Sequence, residues 1–334
     1  MMKQEYTMKN TEKNNYDFTT VINRDNTNSL KWDSIESELP MWVADMDFKT
    51  ASEIQESLKK RINHPIYGYT TVPNELYESY IQWWEDNYHI KMKKEELLYA
   101  RGVMPSIISI IRKLTKPLDN IVIQTPVYNA FFNVILNNNR KVLENKLTYK
   151  NYEYSINFKD LENKLKNPKT SLMLLCNPHN PIGKIWGKND LEKIGSLCEK
   201  YNVILVSDEI HCDLTYPGKT YTPFASLASS IVDNSITCIS PSKTFNIAGI
   251  QSAMVYIKNK ELNLKVSQQL YADFSSEPNI LSVEATITAY TQCREWLNQL
   301  KNTLLENKII VEDFLKKELP SIKLVPVMPL TYYG

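Results

Sequence analysis

Between residues 97 and 257 the sequence alternates short apolar, β-branched runs with longer segments of helical period. Residues 97–100, 120–124, 141–147, 171–175, 203–206, 235–239 and 253–257 read as strands. Residues 106–114, a segment running through Leu136, residues 156–166 and residues 190–201 read as the helices between them. Strands that alternate with helices form a largely parallel sheet covered on both faces, so the chain is predicted to be α/β. In such sheets ligands sit outside the carboxyl ends of the strands. The residues that directly follow the predicted strands are therefore the first place to look for chemistry. They include the turn Gly102, Val103 and Met104, then Tyr128, Asn180, Asp208, and finally Ser240, Ser242 and Lys243.

Outside this region the pattern is different. Residues 1–15 are polar and read as a mobile tail. Residues 41–48 are apolar with two acids, which fits an extended segment lining a pocket or a strand or turn at a domain edge. Residues 50–63 read as a helix capped by Thr50, and Pro73 opens another with Leu76, Tyr80 and Trp83 or Trp84 on one face. Beyond about Tyr271, residues 281–290 and 296–315 read as long helices and 321–327 as a strand. A length of 334 residues suits one large α/β domain with a smaller companion. The 39 basic and 38 acidic residues leave a net charge of +1, which gives no sign of a nucleic-acid or anionic-membrane partner. No apolar run reaches the ~18 residues of a spanning helix. The five cysteines are scattered without Cys-x-x-Cys spacing, which points away from a disulfide framework or zinc site and towards a reducing, cytoplasmic compartment.

Lys243 carries the strongest chemical hint. It lies between two predicted buried strands, where loss of water disfavours the ammonium form and leaves a nucleophilic amine able to form a Schiff base with an aldehyde. The hydroxyls of Ser240 and Ser242 beside it could donate to a phosphate, as could the backbone amides of a strand–glycine–helix turn at Gly102. Taken singly, each residue also has an ordinary role. Ser-x-Ser-Lys is a common loop, Asp208 suits a helix N-cap, Asn180 suits a turn, and Tyr128 suits a core. His179 and His211 suit satisfied structural histidines. The ordered set at successive strand ends is what carries weight.

Three motifs hold that set: Asn177-Pro178-His179-Asn180-Pro181-Ile182-Gly183, Ser207-Asp208-Glu209-Ile210-His211, and Ser240-Pro241-Ser242-Lys243-Thr244-Phe245-Asn246-Ile247-Ala248-Gly249. Together they resemble the fold-type I enzymes of the aminotransferase superfamily, which depend on pyridoxal 5'-phosphate (PLP). With residues 41–48 and 64–69 added, the chain is similar to the cystathionine β-lyase, or C–S lyase, branch, and the likeness runs from about residue 16 to residue 327. The resemblance implies a seven-stranded-type, mostly parallel PLP-transferase sheet with a smaller α+β domain. The large PLP-binding domain would span residues 50–285, with residues 1–49 and 286–334 forming an arm and an incomplete-looking small domain.

The resemblance also implies roles. Lys243 would hold the cofactor covalently and then act as the base at the substrate Cα. Asp208 would pair with the pyridine nitrogen and keep the ring an electron sink. Asn180 would bind the phenolic oxygen, Tyr128 would stack on the ring, and His211 would join the cofactor-binding set. Gly102, Val103, Met104, Ser240 and Ser242 would hold the phosphate, and Tyr67 would reach the phosphate of a neighbouring subunit in a homodimer with shared sites. The implied reaction cleaves L-cystathionine, or a cysteine-type substrate, to a thiol, pyruvate and ammonia.

Two departures bear on this. Many aminotransferases carry an arginine eight residues after the lysine, where this chain has Gln251, which favours lyase over aminotransferase. The family's small domain also continues past residue 327 and carries an arginine that grips the substrate carboxylate, so a shortened reading frame and a non-catalytic remnant stand as the alternative expectation.

Overall fold

The computed structural model describes residues 16–33 and 39–325. The strands are β1 (Leu97–Ala100), β2 (Asn120–Thr125), β3 (Lys141–Lys146), a hairpin of β4 (Thr148–Lys150) and β5 (Glu153–Ser155), β6 (Thr170–Cys176), β7 (Ile204–Asp208), β8 (Ser235–Ile239) and β9 (Ala253–Tyr256). Apart from the hairpin they form one seven-stranded sheet in the order β1-β9-β8-β7-β6-β2-β3. The pairs β2–β3, β2–β6, β6–β7 and β7–β8 are parallel. Strand β9 alone runs the other way, antiparallel to both β1 and β8. The carboxyl ends of β1, β2, β6, β7 and β8 therefore open on the same edge of the sheet.

The helices are α1 (Ser52–Ile62), α2 (Asn74–Tyr88), α3 (Val103–Leu114), α4 (Ala130–Asn137), α5 (Phe158–Leu165), α6 (Lys188–Lys200), α7 (Ser229–Asp233), α8 (Lys260–Ala272), α9 (Ile280–Gln292) and α10 (Arg294–Glu318). Both faces of the sheet are buried, which is why its central strands read as continuous apolar runs. Strand β6 shows the division: Leu172 and Leu174 join a core with Ile107 and Ile110 of α3 and Phe131 of α4. Met173 and Leu175 join the opposite core, with Ile54 of α1, Trp83 of α2, Leu191 of α6 and Trp296 of α10. Phe18 brings the N-terminal segment onto this second core, with ring centroids 5.4 Å from Phe48 and 5.6 Å from Trp296.

Several expectations change. Thr50 does not cap α1; Ala51 precedes the helix without a side-chain cap, and the Thr50 hydroxyl instead donates to the Phe245 carbonyl at 2.8 Å. Helix α3 begins at Val103, not at residue 106, because Pro105 falls in the first turn, where its missing N–H costs no intrahelical bond. Helix α8 and the β4–β5 hairpin are additional. Of α8 only Val266 and Leu270 are buried, too thin an apolar stripe to stand out in sequence. Residues 321–325 are turn and irregular chain rather than strand, and no strand among the described residues pairs with them; residues 326 and 327 of that expected strand, the closing 328–334 and the N-terminal tail 1–15 lie outside the described residues. No helix among the described residues is long and apolar enough to cross a membrane. All five cysteines are buried and unpaired.

Candidate active site

A cavity of about 790 Å³ opens at the carboxyl edge of the sheet. The ends of β1, β2, β6, β7 and β8 all contribute to it. Gly102, Val103 and Met104 follow β1, Tyr128 follows β2, Asn180 follows β6, Asp208 closes β7 with His211 just beyond, and Ser242 and Lys243 follow β8. Parallel register fixes this convergence: Cys176, Asp208 and Cys238 are aligned across β6, β7 and β8.

Lys243 is half-buried, and its Nζ donates to the Ala44 carbonyl at 2.9 Å. Burial lowers the amine below the ordinary lysine value, while the carboxylates of Asp45 and Asp208 oppose that shift. Asp208 is 5% exposed, and burial pushes its carboxyl up to about 6 against the stabilising Ile210 N–H, which donates to Oδ1 at 3.1 Å, and against Lys243. A cationic group brought into the cavity beside Asp208 would supply the counter-charge it lacks and favour the carboxylate. His211 is buried; burial first, and Lys243 second, bring its imidazole down to about 3, so it is neutral at physiological pH. Its Nδ1 has no hydrogen-bond partner among the described residues.

The N-terminus of α3 faces the same cavity and is uncapped by any side chain. Its first-turn amides are free of intrahelical partners, and the helix dipole adds positive potential there, which suits a phosphate. Gly102 is extended, and a Cβ there would sit 3.3 Å from Pro105 Cδ, so side-chain bulk at this turn would crowd the helix start. Tyr128, partly exposed, adds an aromatic ring to the lining. Asn180 is held by its backbone N–H, which donates to Cys176 Sγ at 3.4 Å.

These residues fit PLP: an anion site at a helix start, a buried acid for a ring nitrogen, a ring to stack on, and a desolvated amine for a carbonyl. The unpartnered His211 Nδ1 and the uncapped α3 are the features that a polar ligand would satisfy.

One expected phosphate ligand is placed elsewhere. Ser240 does not line the cavity. It lies behind Ser242, with its Oγ 2.9 Å from Ser242 Oγ, and it donates to the Ser252 carbonyl at 2.6 Å, so its hydroxyl is spent on the protein and it acts by holding Ser242. Tyr67, expected at a neighbouring subunit's phosphate, is exposed and does not line this chain's own cavity; its hydroxyl donates to the Ile62 carbonyl at 2.6 Å.

The structure also adds residues that sequence reasoning missed. Phe274 and Ser275, just after α8, line the cavity. Residues 42–44 line the cavity, as one of the two readings of this stretch expected, but in a bent rather than extended conformation; residues 42–48 form a strap at its wall. The strap is fastened from both sides. Asn246 bonds to the backbone at Met46 and Phe48. Arg24 reaches Asp45 at 2.7 Å and Asp47 at 2.6 Å, and Lys31, which is 3% exposed, reaches Asp47 at 2.6 Å. Gln251 lines the cavity in a left-handed conformation, φ 59°.

A family model described as aminotransferase class I and II matches residues 44–328. Cystathionine β-lyase PatB of Bacillus subtilis (strain 168) is 40% identical over 305 residues, which cover 90% of this chain and 79% of that protein. A PLP-bound putative aminotransferase from Clostridium difficile 630 superposes with a TM-score of 0.91 at 38% identity, over 95% of this chain and 83% of that one. Cystalysin from Treponema denticola, whose crystal structure contains PLP, superposes with a TM-score of 0.90 at 36% identity, over 94% of this chain and 82% of that one.

Proposed function

This chain belongs to the aminotransferase class I and II family, and from that premise we propose that it is a PLP-dependent carbon–sulfur β-lyase acting on L-cystathionine or a related cysteine thioether. The observation that carries the reading is the convergence of Lys243, Asp208 and Asn180, from three separate strand ends, on one cavity. The net reaction consumes one water: R–S–CH2–CH(NH3+)–COO− and H2O give R–SH, pyruvate and ammonium.

Bound PLP supplies the carbonyl for covalent attachment and the electron sink for the electron pair left at Cα. The residues of the chain supply the rest. Lys243 Nζ is the amine placed to hold the cofactor carbonyl, and once released it is the base for the Cα proton. Burial suits both tasks, because an amine with lowered basicity is more often unprotonated. The Ala44 carbonyl, 2.9 Å from Nζ, gives the lysine a fixed direction along the strap. The Asp208 carboxylate would hold a proton on the ring nitrogen. The neutral His211 can donate or accept without adding charge beside Lys243. Gly102, Val103 and Met104, with Ser242, would hold the phosphate, with Ser240 orienting Ser242.

We extend the reading to a cytoplasmic homodimer in which Tyr67 serves the partner's site. The unpaired buried thiols support a reducing compartment, and the exposed run of Ile66, Tyr67 and Tyr69 supports an interface. Sedimentation of the PLP-loaded protein checks the dimer.

The activity test mixes PLP-loaded protein with L-cystathionine and follows pyruvate and free thiol together. Equal release of both, lost in Lys243→Ala, is expected. Release of neither, or amino-group exchange with a keto acid in place of thiol release, overturns the lyase reading.

A further inference from the structure

A second cavity, of about 230 Å³, lies between α2, the loop after β7 and the first turns of α10. It shares no lining residue with the active-site cavity. Helix α10 presents one face to it: Arg294, Leu297, Asn298 and Lys301 follow the spacing of a single helical stripe. Lys219 from the loop also lines it.

The charges here are unbalanced. Arg294 is engaged by Asp86 at 3.0 Å and by Asn87 at 2.6 Å, and lies 4.8 Å above the Trp83 ring. The acid in the lining is Asp213, which is 3% exposed, and both its oxygens are taken. Oδ1 accepts from Trp83 Nε1 at 3.0 Å and from the Tyr88 hydroxyl at 2.6 Å, and Oδ2 accepts from the Thr244 hydroxyl at 3.2 Å. Lys301 is half-buried, and its ammonium makes no hydrogen bond or ion pair among the described residues. Burial, and the like charge of Arg294, lower its amine against the pull of Asp213. A protein that holds a desolvated ammonium beside a guanidinium meets a cost that a bound anion would offset.

We propose that this cavity binds a small oxyanion, a phosphate or carboxylate group, with Lys301 as its principal ligand and Asn298 and Lys219 beside it. The Asp213–Thr244 bond places this site one residue from Lys243.

Calorimetric titration of the PLP-loaded protein tests it, since the active-site phosphate position is then filled. Inorganic phosphate and malonate are titrated separately in a low-chloride buffer. Saturable binding of one equivalent is expected, weakened about 10- to 100-fold in Lys301→Met, as for loss of a charge-assisted bond. Lys301→Arg restores it, and the exposed control Lys316→Met leaves it unchanged. Asn298→Asp, on an exposed position, places a repelling carboxylate in the cavity and weakens binding as well, so the proposal stays testable if Lys301→Met does not fold. Binding of phosphate alone or malonate alone assigns the anion. Heat from neither ligand, or equal affinity in wild type, Lys301→Met and Asn298→Asp, overturns the proposal.

Discussion

Asn246→Ala should free the strap at the wall of the active site. Asn246 Oδ1 accepts from the Met46 N–H at 3.0 Å, and its Nδ2 donates to the Met46 and Phe48 carbonyls, both at 2.9 Å. Each neutral bond contributes about 0.5–1.5 kcal/mol, so losing the three weakens the fastening by about 3 kcal/mol. Asn246 also sits at φ 55°, a left-handed conformation that alanine tolerates less well, at a further cost of about 1 kcal/mol. A loss of 3 kcal/mol raises local opening about 100-fold. Hydrogen exchange reads this directly, because the Met46 amide is one of the lost bonds. Its protection in the cofactor-free protein should fall about 100-fold, while amides of β7 keep theirs. Asn246→Asp is the discriminating variant: it keeps the acceptor for the Met46 N–H and loses the two donated bonds, so its effect should be intermediate. Released from Asn246, the strap no longer holds the Ala44 carbonyl against Lys243, and turnover should fall with exchange protection. Unchanged protection of the Met46 amide in a folded Asn246→Ala protein would refute the reasoning.

Further outcomes follow from the same structure. Asp208→Asn keeps an acceptor for the Ile210 N–H but removes the charge, so PLP should bind about 10- to 100-fold more weakly in a spectroscopic titration of cofactor-free protein; equal affinity would remove Asp208 from its assigned role. The buried histidines, His211 at about 3 and His179 at about 4, bind fewer protons folded than unfolded, so their contribution is present above the unfolded histidine value and is lost as pH falls. The buried acids, Asp208 at about 6 and Glu209 at about 7, do the opposite: their contribution is present at low pH and is lost as pH rises through those values. The two sets nearly cancel between about pH 5 and 7, so urea midpoints of the cofactor-free protein should be nearly flat there and fall below about pH 5; a steep slope across pH 5–7 would contradict these assignments. Gly195→Ala in α6 would place a Cβ 2.3 Å from Ile231 Cγ2, and the overpacking cost of about 1–3 kcal/mol should exceed the gain in helix propensity of about 1 kcal/mol, lowering the urea midpoint.

The local period of the sequence determined the alternation of strands and helices, and β1 and β8 lie where the apolar runs placed them. The same period, with the rule that parallel sheets bind ligands at carboxyl ends, singled out Gly102, Tyr128, Asn180, Asp208, Ser242 and Lys243, which all line one cavity, and Ser240, which does not; His211, also on the cavity, came only from the family resemblance. These features were legible because they depend on neighbours a few residues apart. The reversal of β9, the retreat of Ser240 behind Ser242, and the contact of Lys243 with Ala44, 199 residues away, were decided only by the tertiary structure. So were the grip of Asn246 on Met46 and Phe48 and the gathering of Arg294, Lys301 and Asp213 around a second cavity. Each of these depends on which strands and helices become neighbours. That is set by the summed packing of both faces of the sheet, and no short stretch of sequence records it.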